Sequence, residues 1–201
     1  GNSIPQIAVG DGNGAGRVIR NLKGVQQLAL STAQGFIEVE NQGNEEVSLS
    51  LMLSRTPSAN EDVKPIANGV EIDVQYADLK GNAITIDKLQ QGEELLAKIR
   101  VKKTNDSSPS MALTYAIPSG WEIWNERLTG GEESQGATYT DIRDTSISWY
   151  FAIEQGQTKE FVVRLRAAYG GQFVLPPTIC EDMYNPSCRA NTANGLTIVV
   201  R

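Results

Sequence analysis

Val70-Glu71-Ile72-Asp73-Val74-Gln75-Tyr76 places an apolar side chain at every second position and an acid or an amide between them. A period of two belongs to an extended strand with one face on a core and the other in water. The same beat recurs along the chain. Val47, Leu49, Leu51 and Leu53 alternate with Glu46, Ser48, Ser50 and Met52. Leu95, Ala97, Ile99 and Val101 alternate with Lys98, Arg100 and Lys102. Ile147, Trp149, Phe151 and Ile153 repeat the pattern, as do Phe161, Val163, Leu165 and Ala167 against Glu160, Arg164 and Arg166. One-sided strands of this kind predict antiparallel sheets. Turn residues separate them at Gln42-Gly43-Asn44, Lys80-Gly81-Asn82, Asn105 to Pro109, Gly130-Gly131 and Asn194-Gly195. The one helical competitor, Ile86 to Ile99, is interrupted by Gly92. The reading is an all-β chain with negligible helix, folded as an antiparallel β-sandwich of immunoglobulin-like architecture.

The alternation lapses in Thr56 to Asn68, where two prolines, Ser, Asn, Glu and Asp replace it, so a boundary is expected there. Residues 18 to 55 supply only three or four strands, few for a free-standing sandwich, so residues 1–62 read as a partial β-unit. Residues 69 to 201 have room for seven or more strands, so residues 63–201 read as one complete sandwich.

The 201 residues carry a net charge of −6 and a pI near 4.8, which disfavours nucleic acid and anionic lipid as partners. No run of about 18 apolar residues is long enough to span a membrane as a helix. A charged n-region leading into an apolar h-region is absent, so any export signal is expected in a longer parent. Histidine is absent as well, which removes Ser-His-Asp and Cys-His catalysis and the commonest metal ligand. Two cysteines are too few for a structural zinc site.

Several constellations invite a chemical reading and do not sustain it. Ile7-Ala8-Val9-Gly10-Asp11-Gly12-Asn13-Gly14-Ala15 mimics a strand entering a dinucleotide loop, but that motif needs a helix whose N-terminus holds the pyrophosphate. Arg17 to Lys23 is too short before Gly24, and Asp11 is the only carboxylate available to calcium. Glu181 and Asp182, taken with Asp141 and Asp144, could form an acid/base pair only if a cleft separated their pKa values. Flanking strands, such acids are ordinarily turn and solubility residues. No cofactor, metal or catalytic group is therefore expected. Asn105-Asp106-Ser107 fits the glycosylation sequon and equally an ordinary polar loop. Trp121, Trp124 and Trp149, with Tyr115, Tyr139 and Tyr150, could supply an aromatic platform for a sugar or a protein partner. Trp149 belongs to an alternating apolar set and is expected in the core, whereas Trp121 and Trp124 follow Pro118-Ser119-Gly120, where one exposed ring is expected.

The last third of the chain is its most distinctive part. Gly170-Gly171-Gln172-Phe173-Val174-Leu175-Pro176-Pro177 runs into Cys180-Glu181-Asp182-Met183-Tyr184-Asn185-Pro186: a strand halts at a double proline, and an acidic Met-Tyr turn follows. This segment resembles the closing motif of the last macroglobulin-like domain of bacterial alpha-2-macroglobulins, G-x-F-x-L-P-P and then E-x-M-Y-x-P. The residues carrying the resemblance are Gly171, Phe173, Leu175, Pro176, Pro177, Glu181, Met183, Tyr184 and Pro186. Other pieces follow in the family's order. They are Asn68-Gly69-Val70-Glu71-Ile72 through Asp78-Leu79-Lys80-Gly81-Asn82, Leu89-Gln90-Gln91-Gly92-Glu93, Tyr115-Ala116-Ile117-Pro118-Ser119-Gly120-Trp121-Glu122-Ile123, and Asp141-Ile142-Arg143-Asp144. Residues 1–62 are similar to the second half of a CUB-like domain.

The resemblance implies a non-catalytic scaffold of a protease trap. In that family a thioester on a separate helical domain captures proteases covalently. This chain lacks the motif, since Cys180 precedes Glu181-Asp182-Met183 and Cys188 precedes Arg189-Ala190-Asn191. The implied partners are the thioester domain and other domains of the same parent and, through the whole protein, target proteases. The implied setting is the periplasm or cell envelope, with a lipid anchor elsewhere in the parent. In that oxidising setting, Cys180 and Cys188, seven residues apart across a proline-containing turn, are expected to form a disulfide. The alternative class of function is a carbohydrate- or protein-binding sandwich of another exported protein.

Overall fold

The computed structural model describes residues 6–10, 16–20, 38–43, 46–47, 49, 62–124 and 136–201. Residues 11–15 of the glycine loop, Leu51 and Leu53, residues 56–61 of the Thr56–Asn68 break and Gly130-Gly131 lie outside the described residues. The chain divides into two compact units, Gly1–Met52 and Leu53–Arg201. In the first, β1 (Gln6–Gly10), β2 (Gly16–Arg20) and β3 (Glu38–Asn41) form an antiparallel sheet in the order β2-β1-β3.

The second unit holds the remaining described strands, and no α-helix occurs among the described residues. A six-stranded sheet contains β4 (Ile66–Asn68), β8 (Ser110–Ala116), β10 (Tyr139–Ile142), β11 (Ser146–Ala152), β14 (Ile179–Asp182) and β15 (Arg189–Asn191). Its order is β10-β11-β8-β14-β15-β4. A four-stranded sheet has β5 (Val70–Ala77), β7 (Glu94–Lys103), β9 (Trp121–Ile123) and β12 (Thr158–Ala167) in the order β5-β7-β12-β9. A third sheet, β13-β16-β6, comprises β6 (Lys88–Gln90), β13 (Gly171–Leu175) and β16 (Gly195–Val200).

Four of the alternating sets become the inward rows of a sandwich. The Val47–Leu53 set does not, since its described members Val47 and Leu49 lie in no strand and Leu49 is 62% exposed. Register sets Val74 beside Ile99 and Ile99 beside Phe161 on one sheet. On the other, Trp149 lies beside Leu113 and Leu113 beside Cys180. The two rows meet through aromatic rings: Phe161 stands 5.0 Å from Trp149 and 4.9 Å from Phe151, centroid to centroid. Burying a ring of this size stabilises the fold by about 1.5–3 kcal/mol. The Ile86–Ile99 stretch resolves into β6 and β7 because Gly92, at φ +89°, turns the chain where a side chain would be strained.

Two features depart from the sequence reading. The β6–β16 pair is parallel, with Leu89 opposite Val199. Strands this far apart in sequence need no hairpin, so nothing local imposes the antiparallel sense. β11 is buried on both faces rather than one: Ser148 and Tyr150 are as enclosed as Trp149. On its second face Ser148 Oγ lies 3.0 Å from Thr114 Oγ1, and the Tyr139 ring covers Tyr150. Burial pushes the Tyr150 phenol up to about 12.

Candidate functional site

Pro176 and Pro177 carry the chain from one sheet to another. Neither can donate a main-chain hydrogen bond, so the β13–β16 ladder ends at Leu175. The chain then enters the six-stranded sheet as β14, where Thr178 N donates to Thr192 Oγ1 at 2.8 Å. The preceding motif residues pack on another part of the resemblance. Gly120 admits the Phe173 ring so closely that any Cβ there would collide with it.

β14 and β15 then form a hairpin, with Cys180 opposite Ala190 and Glu181 opposite Arg189. Asp182 N donates to Cys188 O at 2.9 Å, and Cys188 N to Asn185 O at 3.0 Å, closing the intervening turn. Asp182 is its anchor and is only 2% exposed. Oδ1 accepts the main-chain N–H of Tyr184 at 2.8 Å and of Asn185 at 3.1 Å, while Oδ2 accepts Ser107 Oγ at 2.9 Å. An aspartate folding back on the amides two and three residues ahead fixes the turn as a backbone turn would.

Neighbouring loops brace it from outside. Met183 N donates to Ser110 O at 2.9 Å and Asn68 Nδ2 to Ser187 O at 2.7 Å. Lys103, fully buried, donates through Nζ to Ser107 O at 3.0 Å and Ser108 O at 3.1 Å. A buried cation and a buried anion thus bracket the Ser107 loop, each with the hydrogen bonds that make its burial tolerable. The product is a rigid tip on which Tyr184 is 63% exposed, flanked by exposed Asn185 and Pro186 and half-buried Met183. A large aromatic held out of the core by a fixed backbone loses little entropy when a partner covers it.

The expected bridge between Cys180 and Cys188 is not formed; both are free, buried thiols. Register supplies the reason. Cys180 faces Ala190, so Cys188 lies two residues along, in the diagonal position. Diagonal partners sit about 7–8 Å apart, beyond ordinary disulfide reach. Burial, with Cys188 next in importance, pushes the Cys180 thiol far above its ordinary range.

The four acids are not gathered. β10, with Asp141, is separated from β14 by β11 and β8, about 14 Å at ordinary strand spacing. Asp141 bonds Arg143 at 2.8 Å, and Glu181 pairs with Arg189 at 3.8 Å. The tryptophans disperse too. Trp121 and Trp149 are buried, and Trp124 is 45% exposed with Arg164 stacked 4.8 Å above it, so no aromatic platform forms from the three. Lys103 is a residue the sequence reading passed over, and Asn105 and Ser107 entered it only as a sequon or polar loop. Lys103 carried a signal, since it continues the inward parity of Ile99 and Val101. Asn105 and Ser107 read as loop, and only folding places them under the turn.

A family model described as the Bacterial Alpha-2-macroglobulin MG10 domain matches residues 69–187, which contain the turn. The alpha-2-macroglobulin of Pasteurella multocida is 26% identical over 144 residues, covering 71% of this chain and 7% of that protein. The alpha-2-macroglobulin of Escherichia coli is 25% identical over 182 residues, covering 82% of this chain and 11% of that protein. Trypsin-activated E. coli alpha-2-macroglobulin superposes with a TM-score of 0.62 at 25% identity, over 69% of this chain and 11% of that one. A native E. coli structure running from domain MG7 to the C-terminus gives 0.62 at 21%, over 99% of this chain and 33% of that one. The chain spans about a tenth of the length of these curated relatives.

Proposed function

Because this chain belongs to the bacterial alpha-2-macroglobulin family through its MG10 domain, we propose that it is a non-catalytic interaction domain of a protease trap. On this reading its closing turn rests against, and shelters, the thioester domain of the parent. Residues 63–201 form the last macroglobulin-like domain and residues 1–62 the remainder of a CUB-like one. The parent acts on proteases at the cell envelope, in the periplasm, held by a lipid anchor elsewhere in its sequence.

The observation that carries the reading is the Asp182-locked turn. Folding commits a buried carboxylate, Ser107 and a buried lysine to holding Tyr184 in solvent, where it contributes nothing to this domain's own core. Such an arrangement is stable only if the backbone is fixed first, and it is useful only if something covers the ring. A thioester is destroyed by water and small amines, so a covering aromatic and thioether would protect it by exclusion. Protease cleavage elsewhere in the parent would then separate the two domains and expose the bond.

The test uses the parent protein with Tyr184→Ala. Methylamine-induced thiol release should accelerate at least tenfold in the uncleaved variant, while urea unfolding of the domain is unchanged. An unaltered rate would overturn the sheltering role.

A further inference from the structure

β5 is an edge strand of the four-stranded sheet, bonded on one side to β7. Its hydrogen-bonding parity can be read from its ends. Gly69 O accepts Thr104 N on the β7 side, whereas Tyr76 O accepts Ile84 N and Asp78 N donates to Asn82 O on the opposite side. In an antiparallel strand the N–H and C=O of one residue point the same way, and alternate residues point oppositely. Ile72 and Val74 therefore turn both main-chain groups away from β7, and neither has a strand partner there among the described residues. Their side chains point inward and are only partly buried.

These groups border a groove of about 920 Å³ between β5 and β4, itself the edge of the six-stranded sheet. Ile66, Ile72, Val74, Leu175 and Pro176 supply the apolar part of its lining, which Glu71, Asp73, Arg100 and Lys102 share. The outer face of the edge has a sign. Register sets Glu71 opposite Lys102 and Asp73 opposite Arg100, yet Arg100 pairs instead with Glu160 on β12, at 3.5 Å. Neither Glu71 nor Asp73 has a salt-bridge partner among the described residues. Acids on an edge ordinarily guard against stray pairing. Here they oppose a second copy of β5, which would set like charges side by side, and favour a basic strand.

We infer that the β5 edge is a strand-addition site for an extended segment of a partner protein in which apolar and basic residues alternate. Main-chain hydrogen bonds to Ile72 and Val74 supply the attachment. Inward apolar side chains fill the groove, and outward lysines or arginines lie beside Glu71 and Asp73. This surface is separate from the closing turn and does not depend on the sheltering role.

The probe is a short fluorescein-labelled peptide alternating valine and lysine, titrated into the whole chain and followed by anisotropy. Saturable binding is expected, and a valine–glutamate peptide should bind at least tenfold more weakly. The same probe N-methylated on alternate amides should not bind. Ile72→Pro, which removes an outward N–H without touching the β7 ladder, should weaken binding at least tenfold. Should that variant fail to fold, Glu71→Lys with Asp73→Lys carries the test, since it should reverse the preference between the two peptides. No saturable binding up to about 1 mM would overturn the inference, as would binding indifferent to both N-methylation and charge reversal.

Discussion

Asp182→Ala is the perturbation that probes the closing turn most sharply. The carboxylate is 2% exposed and accepts three hydrogen bonds, from Tyr184 N, Asn185 N and Ser107 Oγ. Hydrogen bonds to a charged group contribute about 1.5–3 kcal/mol each, but two of these donors sit on an exposed turn where water replaces the lost acceptor. Ser107 Oγ keeps an alternative acceptor in Asn105 Oδ1 at 2.9 Å, so the larger loss falls on buried Lys103, which loses the nearby opposite charge. The net cost is about 2–4 kcal/mol. With an m-value of about 2 kcal/mol/M, the urea midpoint should fall by about 1–2 M. Asp182→Asn keeps an acceptor for the two amides and should cost about 1 kcal/mol. Tryptophan fluorescence during urea unfolding reports the midpoint, and the amide resonances of Tyr184 and Asn185 report the turn. An alanine variant within about 0.5 kcal/mol of the native chain, with both amides unshifted, would refute the idea that Asp182 holds the tip.

Further outcomes follow from the packing and the titrations. Phe161→Ala removes the ring between Trp149 and Phe151 and should cost about 3–5 kcal/mol in a denaturation curve. Gly120→Ala drives a methyl into Phe173 and should cost about 1–3 kcal/mol, partly restored by Phe173→Leu, measured as a double-mutant cycle. The Tyr76 phenol is pushed up to about 12 by burial, opposed only in part by its 3.1 Å bond to Tyr115. The folded state therefore keeps a proton that the unfolded state gives up near pH 10. Its share of stability is intact below that pH and is lost as pH rises from about 10 to 12, which tyrosinate absorbance and unfolding at matched pH would report. Cys180 and Cys188, buried in the fold, should resist iodoacetamide at pH 8 and react once urea unfolds the chain.

Strands that bury one face were legible in the sequence. Val70–Tyr76, Leu95–Val101 and Phe161–Ala167 carry their inward rows as a period of two, and each became a strand with that row on the core. β11 was legible as a strand but not as one enclosed on both faces, because Ser148 and Tyr150 look like solvent residues until Thr114 and Tyr139 are beside them. The parallel β6–β16 contact joins strands more than a hundred residues apart and leaves no local mark. The closing turn was recognisable from Pro176-Pro177 and Met183-Tyr184. What made it rigid was not, since Ser107 and Lys103 reach Asp182 and the loop beneath it only through the sandwich. The disulfide expectation failed on a two-residue offset of register, which cysteine spacing alone does not encode.

A photocrosslinker at position 184 of the parent protein tests the central claim most directly. Irradiation of the uncleaved protein should give adducts confined to the thioester domain, mapped by mass spectrometry, and cleavage by a target protease before irradiation should abolish them. Adducts on another domain, or a yield on the thioester domain that cleavage does not change, would contradict the account.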